Sequence, residues 1–525
     1  MPKTFLTYFW SVLLIAANVV AAGDAGAAPS KQSIEQSILR AMDEFQVPGM
    51  AVSVVHDGDV FYSAGHGILE IDAKEPVDDK TLFQIASVSK AFTAAALALL
   101  VDEGKLEWDA PVIDYLPEFR MYDSWVTREF TIRDLLTHRS GLPLGAGDLL
   151  MFPEGKTSRQ EIIHAMRYLK PSTSFRSTFA YDNLLFIIAG EVVGRVSGQS
   201  FEAFLEQQLL TPLGMQDCTA TLGRVGPQAI KATPHMLVDG EMQTTRAGIT
   251  EASAAAGGIN CSAASMARWM AFVLNNGLTA AGDQLISTEQ FEQLLKPVTL
   301  LDQPPYMVEQ AGSHLGAYAL GWGVSTFYGQ PMLSHGGGLW GMTSYIALLP
   351  SQGLAVFASN NQMSAAPRAV VNDVLDQFLT GTSAEAGKDW IGIFNDAYKS
   401  RRSEGAETVA LAEESRSKTS TPSLPLEAYA GTYRDAWYGD IHISLGDDGQ
   451  LWFRSERNEP LNGPLEHFQY DTFIARWTDR QLMADAYVSF SLNPEGGIER
   501  IRMKAVSPTT DFSYDFHDLD LRYVE

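Results

Sequence analysis

The chain has 525 residues, too many for one compact domain, and its 46% of apolar residues can fill two or three cores. Against 38 Lys and Arg stand 63 Asp and Glu, a formal charge of −25 with no basic patch, which argues against nucleic-acid binding. Histidines are scattered without HExxH or paired Cys/His spacing, so neither a catalytic metal nor another cofactor is indicated.

At the N-terminus, Lys3 precedes a mostly apolar stretch over residues 5–20, then Ala21, Ala22, Gly23 and Ala25-Gly26-Ala27. Residues 1–27 are read as a secretion signal with cleavage near Ala22 or Ala27, and so an exported, periplasmic or secreted protein. An uncleaved anchor, and with it a membrane association, is the alternative; Thr7, Tyr8, Ser11 and Asn18 make the apolar core a poor span. The mature chain opens with a helix-like segment, 33–45. A strand follows at 50–55, with His56-Asp57-Gly58-Asp59 as a hairpin turn.

Ser87-Val88-Ser89-Lys90 comes next, ahead of a run of Ala, Leu, Phe and Thr over 91–100 that predicts a helix stopping near Gly104. Serine and lysine at i and i+3 share one helix face. A serine hydroxyl needs a neighbouring base to become a nucleophile, and a half-buried lysine loses its proton more easily than a free one. Near a helix start, free N–H groups favour developing negative charge. The same four-residue pattern recurs at Ser415-Arg416-Ser417-Lys418, in a charged stretch with nothing to shield it, and is read there as coincidence.

Tyr181-Asp182-Asn183 follows a Ser/Thr-rich loop (172–178) and precedes an apolar run, 184–190, which puts Tyr181 and Asn183 on a loop entering a helix. His335-Gly336-Gly337-Gly338 brings three glycines whose backbone can approach a ligand, on what is read as an edge strand. Gly336-x-Gly338-x-x-Gly341 also fits a dinucleotide pattern. A strand-like sequel at 343–350 in place of a helix rejects it. Cys218 and Cys261 are read either as one disulfide or as two separate buried thiols, the latter preferred.

Strand-like runs at 321–327, 343–349 and 354–359, and a closing helix at 366–379, frame a helical middle: an α+β domain whose antiparallel sheet takes strands from both ends of the segment. This α+β unit is assigned to 31–381 and a helical, charged linker to 382–425. From 426 to 525, short alternating strands at 440–445, 451–454, 488–492 and 498–503 predict a small β-barrel. Trp437, Trp452, Phe453, Phe473 and Trp477 are read as its packing core, with a ligand pocket as the alternative.

Together these motifs resemble the beta-lactamase-related serine hydrolases: class C beta-lactamases, DD-peptidases, D-aminopeptidases and related esterases. Leu135-Leu136-Thr137-His138-Arg139-Ser140-Gly141-Leu142, Pro212-Leu213-Gly214-Met215, Ala256-Gly257-Gly258 and Trp340-Gly341-Met342-Thr343-Ser344 carry the resemblance further. It implies an acyl-enzyme on Ser87, with Lys90 and Tyr181 relaying protons, Tyr181 as the base and as the acid toward the leaving group. Asn183, His335 and Gly337 would contact substrate, and the backbone N–H groups of Ser87 and Gly338 would form the oxyanion hole. His335 replaces the lysine of a Lys-Thr-Gly motif, which argues against efficient beta-lactam turnover.

The C-terminal region is similar to the lipocalin-like domain attached to some of these hydrolases, where it would cover the site mouth, bind a ligand or join copies of the chain. The expected activity is cleavage of amide bonds in small peptides, D-amino-acid-containing ones included. A carboxylesterase and a DD-carboxypeptidase or penicillin-binding protein are alternatives, as is a noncatalytic binding protein on the same scaffold.

Overall fold

The computed structural model describes residues 28–246, 250–381 and 387–524; the leader read at 1–27 lies outside them. Helix α1 (Lys31–Glu44) starts at Ser30, whose hydroxyl accepts from Ser33 N–H, and it turns Ile34, Ile38 and Ala41 inward at three- and four-residue spacing. Strands β1 (Gly49–His56) and β2 (Asp59–Gly67) form the expected hairpin, closing at the pair His56 and Asp59. Asp57 and Gly58 both take positive φ, 52° and 88°, as a two-residue hairpin turn of this hand requires.

Six more strands return late in the segment: β3 (Thr299–Leu301), β4 (Gly316–Tyr318), β5 (Gly323–Phe327), β6 (Gln330–Leu339), β7 (Met342–Leu349) and β8 (Leu354–Asn360). They complete an eight-stranded sheet in the order β2-β1-β8-β7-β6-β5-β4-β3, antiparallel at every pairing, with Met50 opposite Asn360 joining its two sources. Alternate residues of β8 serve opposite layers. Leu354, Val356 and Ala358 face the same core as Ile34 and Ile38, whereas Ala355 and Phe357 join the core of the helical half. Each Leu, Val, Ile or Phe among them, buried from water, contributes about 2 kcal/mol.

Helix α2 (Ser89–Asp102) is buried on every side over its first three turns, and Phe92 stacks on Trp269 at 3.9 Å. Buried all round, it is a core helix, and it carries the nucleophile's turn at its head. It stops at Gly104, whose φ of 66° lets Lys105 N–H donate back to Leu100 O. Helix α3 (Asn183–Ser197), capped by Asp182, packs on it. Helices α4 (Ala263–Leu274) and α5 (Ala366–Thr380) cover opposite layers of the sheet.

Cys218 and Cys261 form a disulfide, Cα to Cα 4.4 Å, which corrects the preferred reading of two separate thiols. Thr219 and Asn260 exchange both backbone hydrogen bonds beside it, and that bridge brings the two cysteines together from 43 residues apart. Beyond the sheet, α6 (Trp390–Ser415) runs as one helix of 26 residues, longer than the partial helix expected; its first turn buries Trp390, Ile391 and Phe394, and the rest is mainly exposed.

The C-terminal strands β9 (Gly431–Asp435), β10 (Gly439–Leu445), β11 (Leu451–Ser455), β12 (Asn462–Gln469), β13 (Thr472–Ala475), β14 (Ala486–Leu492), β15 (Ile498–Ala505) and β16 (Leu521–Tyr523) close into an antiparallel barrel, with Tyr433 of the first opposite Tyr523 of the last. Trp437, Phe453, Phe473 and Trp477 are buried, Phe453 against Trp477 edge to face at 5.3 Å, as core packing demands. Trp452 is only half-buried, on the other face of its strand.

Candidate active site

The nucleophile sits in a turn that the sheet holds in place. Ser87 occupies a tight helical turn (Ala86–Val88) leading into α2. Just before it, Ala86 takes φ 49°, a left-handed conformation costing about 1 kcal/mol for a residue with a Cβ. The surroundings enforce it: Ser344 Oγ donates to Ile85 O at 2.7 Å, Ile85 N–H to Ile259 O at 2.9 Å, and Ile259 N–H to Ser89 Oγ at 3.2 Å. Gly337 of β6 lies directly against this turn. A Cβ there would meet Ile85 O at 2.3 Å and Ser344 Oγ at 2.4 Å, so the strand can come this close only without a side chain.

Lys90, one turn on, is fully buried. Its Nζ donates to Asn183 Oδ1 and to Ala256 O, each at 2.8 Å, and lies 3.1 Å from Ser87 Oγ. Burial pushes the lysine down to about 7, against the opposing pull of Asp148 and Asp182. Asn183 stands between Lys90 and Asp148, bonded to both. The same burial raises Asp148 well above the carboxylate range and Asp182 up to about 7, so this pocket disfavours charge of either sign.

Tyr181 is half-buried, its ring 4.8 Å from Lys90 Nζ. Burial raises the phenol above its ordinary range, and the hydrogen bond with Ser87 works the other way. The Leu135–Leu142 motif supplies its support. His138, itself at φ 51°, packs its ring tilted against Tyr181 at 4.2 Å and Tyr318 at 4.6 Å, and its Nδ1 accepts from Asp182 N–H at 3.1 Å. Beneath that loop, Arg139 and Arg176 both pair with fully buried Asp134.

β6 is not an edge strand of the sheet, in contrast to the sequence reading. β5 pairs with it only from Gln330 to Ser334, however, so on that side the stretch from His335 onward has no strand partner and forms a local edge beside Ser87. His335 heads this stretch with both ring nitrogens engaged. Nδ1 lies 2.7 Å from Gly336 O, which can only accept, so Nδ1 carries the proton. Nε2 is then the acceptor for the Tyr318 hydroxyl at 2.8 Å. Burial, reinforced by Lys90, holds the imidazole down to about 3, and it is neutral. Ser87, Lys90, Tyr181 and Asn183 are thus gathered in one place. Gly337 backs the nucleophile's turn, His335 braces the strand end, and Gly338 follows on the local edge, opposite Thr343 of β7.

Several site residues had no role in the sequence reading. Asp148, with Oδ2 accepting from Asn183 Nδ2 at 2.9 Å, comes from a separate loop, and Tyr318 from β4. Three residues of the barrel also reach the site. The Phe512 ring is 6.0 Å from that of Tyr181, Ser513 Oγ donates to Asp148 Oδ2 at 3.0 Å, and Asp515 accepts from Gly147 and Leu149 N–H. Only Asp182, inside the Tyr181 motif, carried a local signal, as a helix-capping residue. Among the described residues no cluster of three or more His, Cys, Asp or Glu could hold a metal ion.

A serine–lysine–tyrosine constellation between an antiparallel sheet and a helical half defines a serine hydrolase of the beta-lactamase and transpeptidase fold. Residues 34–379 match the Beta-lactamase family, and the chain belongs to it; residues 415–523 match a domain of unknown function, DUF3471, which contains the barrel. The chain is 26% identical over 499 residues to the Unguisins hydrolase ungD' of Aspergillus campestris, covering 89% of this chain and 88% of that one. Penicillin-binding protein 4 of Amycolatopsis lactamdurans is 28% identical over 326 residues, 61% of this chain and 82% of the other. In structure it is similar to the octameric penicillin-binding protein homologue from Pyrococcus abyssi, with TM-score 0.59 at 22% identity, over 90% of this chain and 97% of that one.

Proposed function

We propose that this serine hydrolase is exported and cleaves amide bonds of small peptides through an acyl-enzyme on Ser87. One observation carries the reading: Lys90 Nζ has two carbonyl acceptors, Asn183 Oδ1 and Ala256 O, and one hydroxyl neighbour, Ser87 Oγ. A neutral amine has two N–H groups and one electron pair. The carbonyls take both N–H groups, so the pair is left facing Ser87. Lys90, rather than the Tyr181 expected from the motifs, is the base in this reading, because burial keeps the Tyr181 phenol protonated at neutral pH.

Ser87 Oγ forms its bond to the carbonyl carbon as its proton passes to Lys90 Nζ, and the oxyanion is placed toward the backbone N–H groups of Ser87 and Gly338. Each such donor is worth about 3 kcal/mol in a transition state. On collapse the C–N bond breaks, the Tyr181 hydroxyl gives its proton to the departing amine, and the Lys90 ammonium restores it. Water then attacks the acyl carbon by the same route in reverse, and Ser87 leaves with its proton.

A phenol kept protonated beside the nucleophile favours amides, whose amine must be protonated to leave; an ester alkoxide needs less help. The neutral His335 provides no positive charge to anchor a substrate carboxylate, which weighs against a DD-carboxypeptidase or an efficient beta-lactamase. The relatives named as a hydrolase and a penicillin-binding protein are in keeping with acyl transfer. The leader-like residues 1–27 support export, to be checked by N-terminal sequencing of protein recovered outside the cytoplasm.

The test is intact-mass analysis after exposure to a fluorophosphonate, with Ser87→Ala alongside. The expected result is one adduct on the parent and none on the variant, followed by turnover on a panel of peptides, esters and penicillins that is highest on peptides. No adduct on folded parent protein rejects the hydrolase mechanism; turnover of esters alone rejects the substrate class.

A further inference from the structure

A line of buried hydrogen bonds joins the C-terminal barrel to the nucleophile. It starts at Ser513, between β15 and β16, whose Oγ donates to Asp148 Oδ2 at 3.0 Å. Asn183 Nδ2 donates to the same oxygen at 2.9 Å, Asn183 Oδ1 accepts from Lys90 Nζ at 2.8 Å, and Lys90 Nζ lies 3.1 Å from Ser87 Oγ. All four intervening side chains are shielded from solvent, with Ser513 the most exposed at 8%. Asp515 grips the backbone on either side of Asp148, accepting from Gly147 N–H at 2.7 Å and Leu149 N–H at 3.0 Å. A local turn holds the segment, with Ser513 N–H donating to Asp511 Oδ1 and Tyr514 N–H to Asp511 O.

The chemistry of an amide explains what this line can do. The two ends of Asn183 are of similar shape, and only the carbonyl end can accept from Lys90. An oxygen on the far side that accepts hydrogen bonds selects the orientation with NH₂ toward Asp148 and carbonyl toward Lys90. Asp148 Oδ1 is buried without a partner among the described residues, so a proton on this carboxyl resides there and Oδ2 stays an acceptor in either protonation state. Ser513 supplies the second donor to that oxygen, and Asp515 fixes the loop that carries it.

We propose that Ser513 and Asp515 of the C-terminal barrel are positioning residues of the hydrolase site, acting through Asp148 and Asn183 to keep the Lys90 electron pair on Ser87. The barrel is then a structural part of the nucleophile's activation as well as a neighbour of its mouth through Phe512. This inference rests on the role given to Lys90 in the preceding subsection.

The experiment compares full-length Ser513→Ala, Ser513→Thr and Asn458→Ala with the parent. Asn458 Nδ2 donates to Pro153 O at 2.6 Å, so its loss loosens the same interface without touching the line. The fluorophosphonate labelling rate is followed from pH 5 to 10, along with peptide kcat/KM and Tm. Lys90 is faced by Asp148 from its loop, Tyr181, Asp182 and Asn183 from the start of α3, His138 from the Leu135–Leu142 loop and His335 from β6. Ser513 favours the charged form of Asp148, which in turn favours charged Lys90, so removing the hydroxyl moves the acid limb of the profile to lower pH.

The expected result for Ser513→Ala is that shift together with a fall of about tenfold in the plateau rate, on the scale of one buried hydrogen bond. Ser513→Thr restores both, and Asn458→Ala lowers Tm with the limb unmoved. A Ser513→Ala profile coincident with that of the parent, or an equal shift in Asn458→Ala, overturns the inference while leaving Ser87 chemistry intact. An unlabelled parent fails the hydrolase reading itself, and the inference falls with it.

Discussion

The chain spells Ser-x-x-Lys twice, and the two copies meet opposite fates. At Ser87 and Lys90 the pattern opens a helix buried on all sides, and the fully buried lysine finds two carbonyls and a hydroxyl. At Ser415 and Lys418 it straddles the exposed end of α6, where Ser415 Oγ donates to Ala412 O of its own helix and Arg416 pairs with Glu413. The letters are the same and the i, i+3 spacing is the same. What separates them is desolvation, which pushes Lys90 down to about 7, and the two acceptors that aim it.

The sharpest way to break this contrast is to remove each serine in turn. Ser87→Ala is expected to abolish the fluorophosphonate adduct and lower kcat/KM by about 10⁴-fold or more, roughly 5 kcal/mol of transition-state stabilisation, whereas Ser415→Ala leaves both unchanged. An adduct mapping to Ser415 or Ser417 by peptide mass would collapse the distinction. Lys90→Ala comes next, with an expected loss of about 10³-fold against none for Lys418→Ala.

Protonation sharpens the comparison further. Lys90 works as the neutral amine, so kcat/KM rises with pH through about 7 and falls away below it as the lysine gains its proton. An acid limb near the value of an exposed lysine, about 10, would say that burial does not tune it. The smallest expected effect on rate is that of Tyr318→Phe, which deprives His335 Nε2 of its donor and loosens β6 by one hydrogen bond, about tenfold in kcat/KM at most. On the stability side, Cys218→Ser with Cys261→Ser removes a 43-residue cross-link, and denaturant melts should show a loss of about 4 kcal/mol on the loop-entropy scale.

Much of this was legible from the sequence because it is local. The period of the strands, the Asp-Gly hairpin, the stop at Gly104 and the helix entry after Tyr181 each depend on neighbouring residues, and all appear where their signals lie. The family motifs picked out Ser87, Lys90, Tyr181 and Asn183, which come together. What escaped was long-range. Nothing near Asp148 announces that Ser513, 365 positions away, will meet it. The disulfide depends on a backbone bridge between Thr219 and Asn260 that neither cysteine's surroundings signal. The neutral charge of His335 was legible from its residue type; its partner Tyr318, on another strand, was not.

Gly337 has a consequence for how this site tolerates change. Its Cα leaves no room between β6 and the turn of Ser87, and ordinary contact would need about an ångström more than the 2.3 Å a methyl group would find at Ile85 O. Even alanine would act as a wedge, prising the strand that bears Gly338 away from the nucleophile. A misplacement of about 1 Å can cost on the order of 100-fold in rate. Position 337 is therefore a mechanical stop: drift elsewhere in the sheet can be absorbed by side chains that repack, whereas here backbone rests on backbone and the clearance of the reaction is set by an atom that is not there.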